Sequence, residues 1–169
     1  MHIQLDKVQP KNRVQLEQLI DFAFKHNIYD LNFIDTSKIT NMYELFEYVE
    51  HDFNVSKWDI SNVKNMGYMF YKCYKFTGKG IGNWNVSNVK DIGGMFAGCE
   101  KFDCDLSNWD VSNVTDMNYA FIDCEKFKGK GLENWNVTNV TNMRRMFDGC
   151  NKLTIPNWYK KLYIVKNKI

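Results

Sequence analysis

The sequence predicts an α/β repeat fold: a right-handed leucine-rich-repeat-type solenoid with one short strand plus a short helix or helical turn in each repeat of ~25 residues. Three observations carry this expectation. One phrase recurs in register, as "KWDISNVKNMGYMFYKCYKF" from Lys57, "NWNVSNVKDIGGMFAGCEKF" from Asn83, "NWDVSNVTDMNYAFIDCEKF" from Asn108 and "NWNVTNVTNMRRMFDGCNKL" from Asn134. Trp58, Trp84, Trp109, Trp135 and Trp158 are separated by 26, 25, 26 and 23 residues. Cys73, Cys99, Cys124 and Cys150 each follow the Trp of their repeat by 15 residues.

In chain order, residues 1–33 read as an N-terminal cap. The segment "PKNRVQLEQLIDFAF" places Val14, Leu16, Leu19, Ile20 and Phe24 roughly on one face, which predicts an amphipathic capping helix. The repeat region spans 34–157. It opens with a degenerate repeat over 34–57, "IDTSKITNMYELFEYVEHDF" and its connection, and continues with full repeats from Trp58, Trp84, Trp109 and Trp135. Val114, Met117, Phe121 and Cys124 step i, i+3, i+7, i+10, the stripe of a short helix. Ser112 or Asn113 would cap it, with Asp116 at the positive end of its dipole. Gly93 and Gly94 weaken the equivalent turn in the repeat before. The stretch from Phe127 through Gly-Lys-Gly to Leu132 and Trp135 reads as a short strand among turn residues. Residues 158–169 form a C-terminal cap and a basic tail.

Composition narrows the function classes. Aromatic residues at 15% and a 44% hydrophobic content place the chain among folded domains, and its 169 residues suit one domain. A net charge of +2 creates no global field for nucleic acid or anionic membrane. The charge is uneven: 6 basic and 9 acidic residues over 1–57, 11 and 11 over 58–150, and 5 and 0 over 151–169. No run approaches a membrane span, and the N-terminus lacks the apolar stretch of a signal peptide. That absence points to the cytoplasm.

One repeat cannot stand alone. Ordering ~25 backbones costs on the order of 25–50 kcal/mol, whereas burying six large side chains returns roughly 9–18 kcal/mol. Stability must therefore be shared between stacked neighbours, and the repeated letters are expected to be core.

The phrase W-D/N-V-S/T-N-V-T/K-D/N-M-x-x-M-F-x-x-C-x-x-F, with the lead-in "DLNFIDTSKITNMYELF", resembles the BspA-like leucine-rich-repeat surface protein family, whose repeat also occurs in mycoplasma lipoproteins. The resemblance covers roughly residues 10–158. It implies a bacterial interaction protein of the cell surface, with adhesion to host or matrix proteins and no catalytic residues. The chain shows no lipobox or wall-anchoring signal.

No enzyme motif is present, and no catalytic residue, cofactor or metal is expected. The five cysteines contain no CxxC, and His2, His26 and His51 lie outside the Cys-bearing repeats. The degenerate repeat carries Val49 at the Cys position, so the column reads as small buried thiols ahead of disulfides or a metal site. Cys104 lies between Asp103 and Asp105, which disfavours its thiolate. Asn-Val-Ser/Thr sequons at Asn54, Asn85, Asn113, Asn136 and Asn139 read as repeat grammar.

Two columns are candidates for partner binding. Lys75, Lys101, Lys126 and Lys152 each lie two residues after the Cys and would form a basic line, about 5 Å apart if on strands. Lys79 and Lys130 would reinforce it, while Glu100 and Glu125 would blunt it. Between the Met and the Phe, Tyr43-Glu44, Gly67-Tyr68, Gly93-Gly94, Asn118-Tyr119 and Arg144-Arg145 vary most. Tyr43, Tyr68, Tyr119, Arg144 and Arg145 have the chemistry of interface hot spots.

The expected function is a non-enzymatic protein–protein interaction module with a surface or adhesion role. The alternatives are an intracellular inhibitor or effector from a mobile element, and an anionic-polymer binder using the lysine line. Its partner is expected to be a protein, not nucleic acid or a membrane. The chain itself should be a monomer or associate weakly end to end.

Overall fold

The computed structural model of the protein describes residues 6–166, with side chains through Leu162. Helix α1 spans Arg13–Lys25, and helix α2 spans Asn157–Lys166. Asn12 caps α1 by accepting from the Gln15 amide at 3.0 Å, and the Gln15 side chain accepts from the Lys11 amide at 2.8 Å. Leu16, Ile20 and Ala23 are buried and turn α1 onto the first repeat, where Phe24 meets Phe46 and Phe53 at 6.3 and 5.7 Å. Val14, expected on that face, stands 60% exposed. The end of the expected basic tail lies outside the described residues.

Between the helices the chain corrects the expected architecture. Among the described residues no strand forms, and the repeats hold no α-helix, so the fold is not an α/β repeat solenoid. Each repeat is a coil of consecutive tight turns, joined to its neighbours by isolated parallel bridges. The bridges Asn41–Asn65, Asn65–Asp91, Asp91–Asp116 and Asp116–Asn142 run through all the coils in sequence.

The backbone shows why a helix fails. In the coil Met66–Cys73, the amides of Met66, Tyr68, Phe70 and Lys72 donate forward to Asp91, Gly93, Met95 and Ala97 at 2.7–2.9 Å. The intervening amides of Met69, Tyr71 and Cys73 close turns onto Met66, Tyr68 and Phe70. Half the donors thus leave the coil, and none is available for an i−4 ladder. Two residues per coil also have positive φ, such as Tyr68 at 55° and Lys72 at 54°, which no right-handed helix accepts. The Val114, Met117, Phe121, Cys124 stripe mimicked a helix because successive turns return side chains to one side every three or four residues. Asp116 caps no helix: its carboxylate accepts from the Asn118 amide at 2.8 Å.

The expected strand before Trp135 is instead a 3₁₀ turn, Leu132–Asn134, matched by Ile81–Asn83 before Trp84. Gly131 enters it at φ 94°, against the backbone of Leu106 and Ser107, where a Cβ would collide.

Aromatic columns fill the interior. Phe46, Phe70, Phe96, Phe121 and Phe147 stack with centroids 5.6, 5.6, 5.4 and 5.8 Å apart. A second column, Phe53, Phe76, Phe102 and Phe127, lies against it, as in Phe96–Phe102 at 4.1 Å. Helix α2 closes the far end, with Tyr159 on Phe147 at 4.9 Å.

Three of the repeated letters are also donors to the previous coil. The indole Nε1 of Trp58, Trp84, Trp109, Trp135 and Trp158 donates to Leu31, Val55, Ile81, Leu106 and Leu132 carbonyls. Asn62, Asn88, Asn113 and Asn139 donate to Ser37, Ser61, Ser87 and Ser112 carbonyls. The thiols of Cys73, Cys99, Cys124 and Cys150 donate to Phe46, Phe70, Phe96 and Phe121 carbonyls. The carbonyls bonded by Trp and Cys already accept a turn amide, as Val55 does from Trp58 and Phe70 from Cys73, so these side chains fill their second lone pairs. The first coil carries Ile34, Lys38 and Val49 at the three positions. Among the described residues only the Val8 bridge and α1, not a further coil, precede it.

Candidate interaction surface

The two turns of each coil carry variable residue pairs that face outward except where Ala97, Gly67, Gly93 and Gly94 are covered. The Met–Phe turn displays the pairs recognised in the sequence. The following turn displays Glu47-Tyr48, Tyr71-Lys72, Ala97-Gly98, Ile122-Asp123 and Asp148-Gly149, a second variable pair between Phe and Cys. The second residue of every pair has positive φ: Glu44, Tyr68, Gly94, Tyr119 and Arg145 in the first turn, Tyr48, Lys72, Gly98, Asp123 and Gly149 in the second.

These pairs build a continuous tyrosine strip. Tyr43 meets Tyr68 edge-on at 5.9 Å, Tyr68 meets Tyr71 at 5.6 Å, and Tyr71 meets Tyr48 at 5.4 Å. The Lys72 ammonium lies 5.4 Å from the Tyr48 ring and 5.2 Å from Tyr71. At the other end Arg145 lies 5.9 Å over the Tyr119 ring and is paired with Asp148 at 2.7 Å. Between the ends a groove of about 250 Å³ is walled by Tyr68, Tyr71 and Tyr119, with Lys72, Ile122 and Asp123 on its rim. Partial burial raises the Tyr68 phenol above its ordinary value, helped by Tyr119, Tyr71 and the carboxylates of Asp116 and Asp91. Burial first, and Asp116 second among the raising influences, lift the Asp91 carboxyl.

The structure therefore brings Tyr43, Tyr68, Tyr119 and Arg145 onto one strip. Arg144 is exposed but makes no ion pair or ring contact among the described residues. Tyr48, Tyr71 and Lys72 escaped the sequence reading, although the variability of the second pair was visible.

The lysine column is a separate feature. Lys75, Lys101, Lys126 and Lys152 are exposed at one register position and make no ion pair among the described residues. Lys130 is not free to reinforce them, since it pairs with Asp105 at 2.6 Å and holds that carboxyl down at about 2. Lys128 pairs likewise with Asp103.

The five cysteines are all free thiols. Burial pushes Cys73 and Cys150 up to about 12 and Cys99 and Cys124 well above the ordinary thiol value. Cys104 is raised first by burial, then by Asp105 and Asp103. Among the described residues no group of three or more His, Cys, Asp or Glu could hold a metal ion. No helix among them is long and apolar enough to cross a membrane. The sequon asparagines serve the coils: Asn113 and Asn139 donate to the preceding coil, while Asn54, Asn85 and Asn136 accept from the amides of Ser56, Ser87 and Thr138.

Stacked turn coils with a buried constant frame and a variable outer strip define a repeat protein. The chain belongs to the family described as Mycoplasma protein of unknown function, DUF285, whose profile matches residues 14–129 and, in an overlapping second match, 74–162. No curated protein and no solved structure matches the chain.

Proposed function

We propose that the protein is a non-enzymatic interaction module that binds another protein through the tyrosine strip, in a surface or adhesion role like that of BspA-like repeat proteins. One observation carries the reading. Tyr48, Tyr68, Lys72, Tyr119 and Arg145 hold φ between 52° and 61°, where side chains are strained and glycine is relaxed. The coil with Gly94 and Gly98 at the same positions shows that the fold needs no side chain there. Each non-glycine residue in this conformation costs roughly 1–2 kcal/mol, and the chain thereby displays three tyrosines, Lys72 and Arg145, with Glu44 and Asp123 at the other two such turn positions. Tyrosine and arginine give large contact area with little rotamer freedom to lose, which suits protein recognition.

The test is capture by cross-linking from candidate host-matrix and cell extracts with three proteins: wild type, a variant with Tyr43, Tyr48, Tyr68, Tyr71 and Tyr119 changed to Ser, and a variant with Lys75, Lys101, Lys126 and Lys152 changed to Gln. A protein retained by the wild type and the lysine variant but lost by the tyrosine variant supports the reading. Retention by all three, or no specific protein at all, overturns it.

A further inference from the structure

The groove is a notch cut by small side chains. One coil carries Gly94, Ala97 and Gly98 where the coil before it carries Tyr68, Tyr71 and Lys72 and the coil after it Tyr119, Ile122 and Asp123. The Tyr68 ring covers Gly94, so the notch lies over buried Ala97 and half-buried Gly98.

Its hydrogen-bonding inventory is one-sided. Every residue that lines the notch has its amide bonded within the protein, as Gly98 to the Ile122 carbonyl at 2.8 Å and Ala97 to that of Gly94 at 3.0 Å. A partner strand would find no main-chain donor there, which rules out pairing of the β type. The donors left on the walls are the hydroxyls of Tyr68 and Tyr119, which have no hydrogen-bond partner among the described residues. One cation, Lys72, and one anion, Asp123, leave the rim without net sign.

The occupant that matches is uncharged, offers carbonyls and brings few amide donors of its own. Proline meets all three conditions. Its nitrogen carries no hydrogen, and a polyproline II segment has no internal hydrogen bonds, so its carbonyls stay open to donors. Tyrosine walls suit it, since each gives an apolar ring face and a hydroxyl at the tip. The period fits as well. One turn of polyproline II, three residues, advances about 9.3 Å, and two steps between bridged coils amount to about 9.6 Å. A proline seated over Ala97 therefore brings the residue three positions along to the coil of Tyr43 and Tyr48.

We propose that the notch seats a proline of the partner protein, within a polyproline II segment that runs along the tyrosine strip and accepts hydrogen bonds from the Tyr68 and Tyr119 hydroxyls. This rests on the protein-binding reading above and specifies the kind of segment that the strip recognises.

The probe is blocked decaproline, titrated into the full chain while the tyrosine ring signals are followed by NMR, with a blocked Gly-Ser peptide of equal length as control. The expected result is movement of the Tyr68 and Tyr119 rings by decaproline alone. Gly98→Tyr should abolish it: Tyr48, Lys72 and Asp123 show that a coil accepts a side chain at this position, and one here would fill the notch. Tyr119→Phe keeps the ring and removes only the hydroxyl, and should weaken decaproline by about fivefold. Lys75→Gln should leave it unchanged. Thermal melts of the variants keep folding defects apart from binding defects. Rings unmoved at millimolar decaproline, equal movement by the Gly-Ser control, movement by N-acetylglucosamine oligomers in its place, or undiminished binding by folded Gly98→Tyr or Tyr119→Phe would each overturn the assignment. If the tyrosine strip captures a partner protein while decaproline leaves the rings unmoved, only this assignment fails and the interaction reading stands.

Discussion

The Cys99 thiol donates to the carbonyl oxygen of Phe70, 29 residues earlier, at 3.0 Å. The same bond joins Cys73 to Phe46, Cys124 to Phe96 and Cys150 to Phe121, so the sulfurs form an internal ladder of donors. Each of those carbonyls also accepts a turn amide, as Phe96 does from Cys99 at 2.9 Å, leaving the thiol its second lone pair. Because burial raises every thiol, the thiolate needed for alkylation is scarce at neutral pH. A thiol-specific reagent at mildly alkaline pH should label Cys104 and Cys150, the two partly exposed sulfurs, well before Cys73, Cys99 and Cys124. Mass spectrometry of a labelling time course reads the order; equal rates at all five positions would contradict the ladder.

The indole ladder predicts a graded loss. Trp109→Phe keeps an aromatic ring in the column but removes the Nε1 donor that reaches Ile81 O at 3.0 Å. The Ile81 carbonyl retains its bond from the Trp84 amide, so it is not wholly orphaned. The expected destabilisation is about 1–2 kcal/mol from the lost hydrogen bond and the smaller ring together. Urea unfolding of the two proteins measures it. The same change at Trp158, which is only partly buried in the capping helix, should cost less.

Backbone strain under the tyrosine strip can be isolated by comparing two variants at one site. Tyr68→Ala and Tyr68→Gly both remove the ring contacts to Tyr43 and Tyr71. They differ in that only glycine is relaxed at φ 55°. Tyr68→Gly should therefore be more stable than Tyr68→Ala by about 1 kcal/mol. In a right-handed helical segment the order would be reversed, because glycine there is worse than alanine by about 1 kcal/mol. The sign of the difference thus tests the turn-built coil itself.

His51 gives the fold a pH dependence at its N-terminal end. Its ring packs 4.4 Å from both Phe24 and Tyr29 and 6.3 Å from Phe53, and its buried Nδ1 has no hydrogen-bond partner among the described residues. Burial lowers its pKa below the ordinary 6.5, with Lys75 acting the same way and Asp52 opposing. A histidine depressed in the folded state binds its proton more readily when unfolded. Stability is then full above pH 6.5 and falls as the pH drops toward and through the lower folded value. His51→Phe should flatten the melting temperature between neutral and mildly acid pH relative to wild type. An unchanged slope would locate the pH dependence elsewhere.

How much of this was legible follows from what each residue does. The Trp, Phe and Cys columns could be read directly, because stacking demands the same side chain at the same offset. The direction of the backbone could not. Val114, Met117, Phe121 and Cys124 recur at helical intervals whether the chain winds one way or alternates hand in tight turns. The decisive property, positive φ at Tyr68, Lys72, Tyr119 and Arg145, belongs to residue types that rarely adopt it. Among these turn positions Gly94, Gly98 and Gly149 hinted at it, and as glycines they also fitted a weak helix. Tyr48, Tyr71 and Lys72 were not legible for a different reason: the F-x-x-C pair varies as freely as the pair in M-x-x-M-F, and variation alone does not say that the two turns meet on one strip. Donation by Trp, Asn and Cys to the coil beneath is invisible until the carbonyls that receive it are placed.

The coils are joined by nearest-neighbour bonds, so the chain should lengthen without loss. In the last coil the amides of Met143, Arg145, Phe147 and Gly149 make no hydrogen bond among the described residues. Their equivalents Met117, Tyr119, Phe121 and Asp123 donate to Asn142, Arg144, Met146 and Asp148. Duplicating residues 109–134 ahead of Trp135 adds a coil that inherits the bonded rows on both sides and leaves the end coil and α2 as they are. It also supplies the indole, amide and thiol donors that reach its neighbour's carbonyls. In a one-dimensional stack each such unit contributes its own interface term. The urea midpoint should rise, and the slope of the transition should grow with the added buried surface. A duplicated chain that melts lower, or in two separate steps, would mean that the end caps and not the coil interfaces hold the fold together.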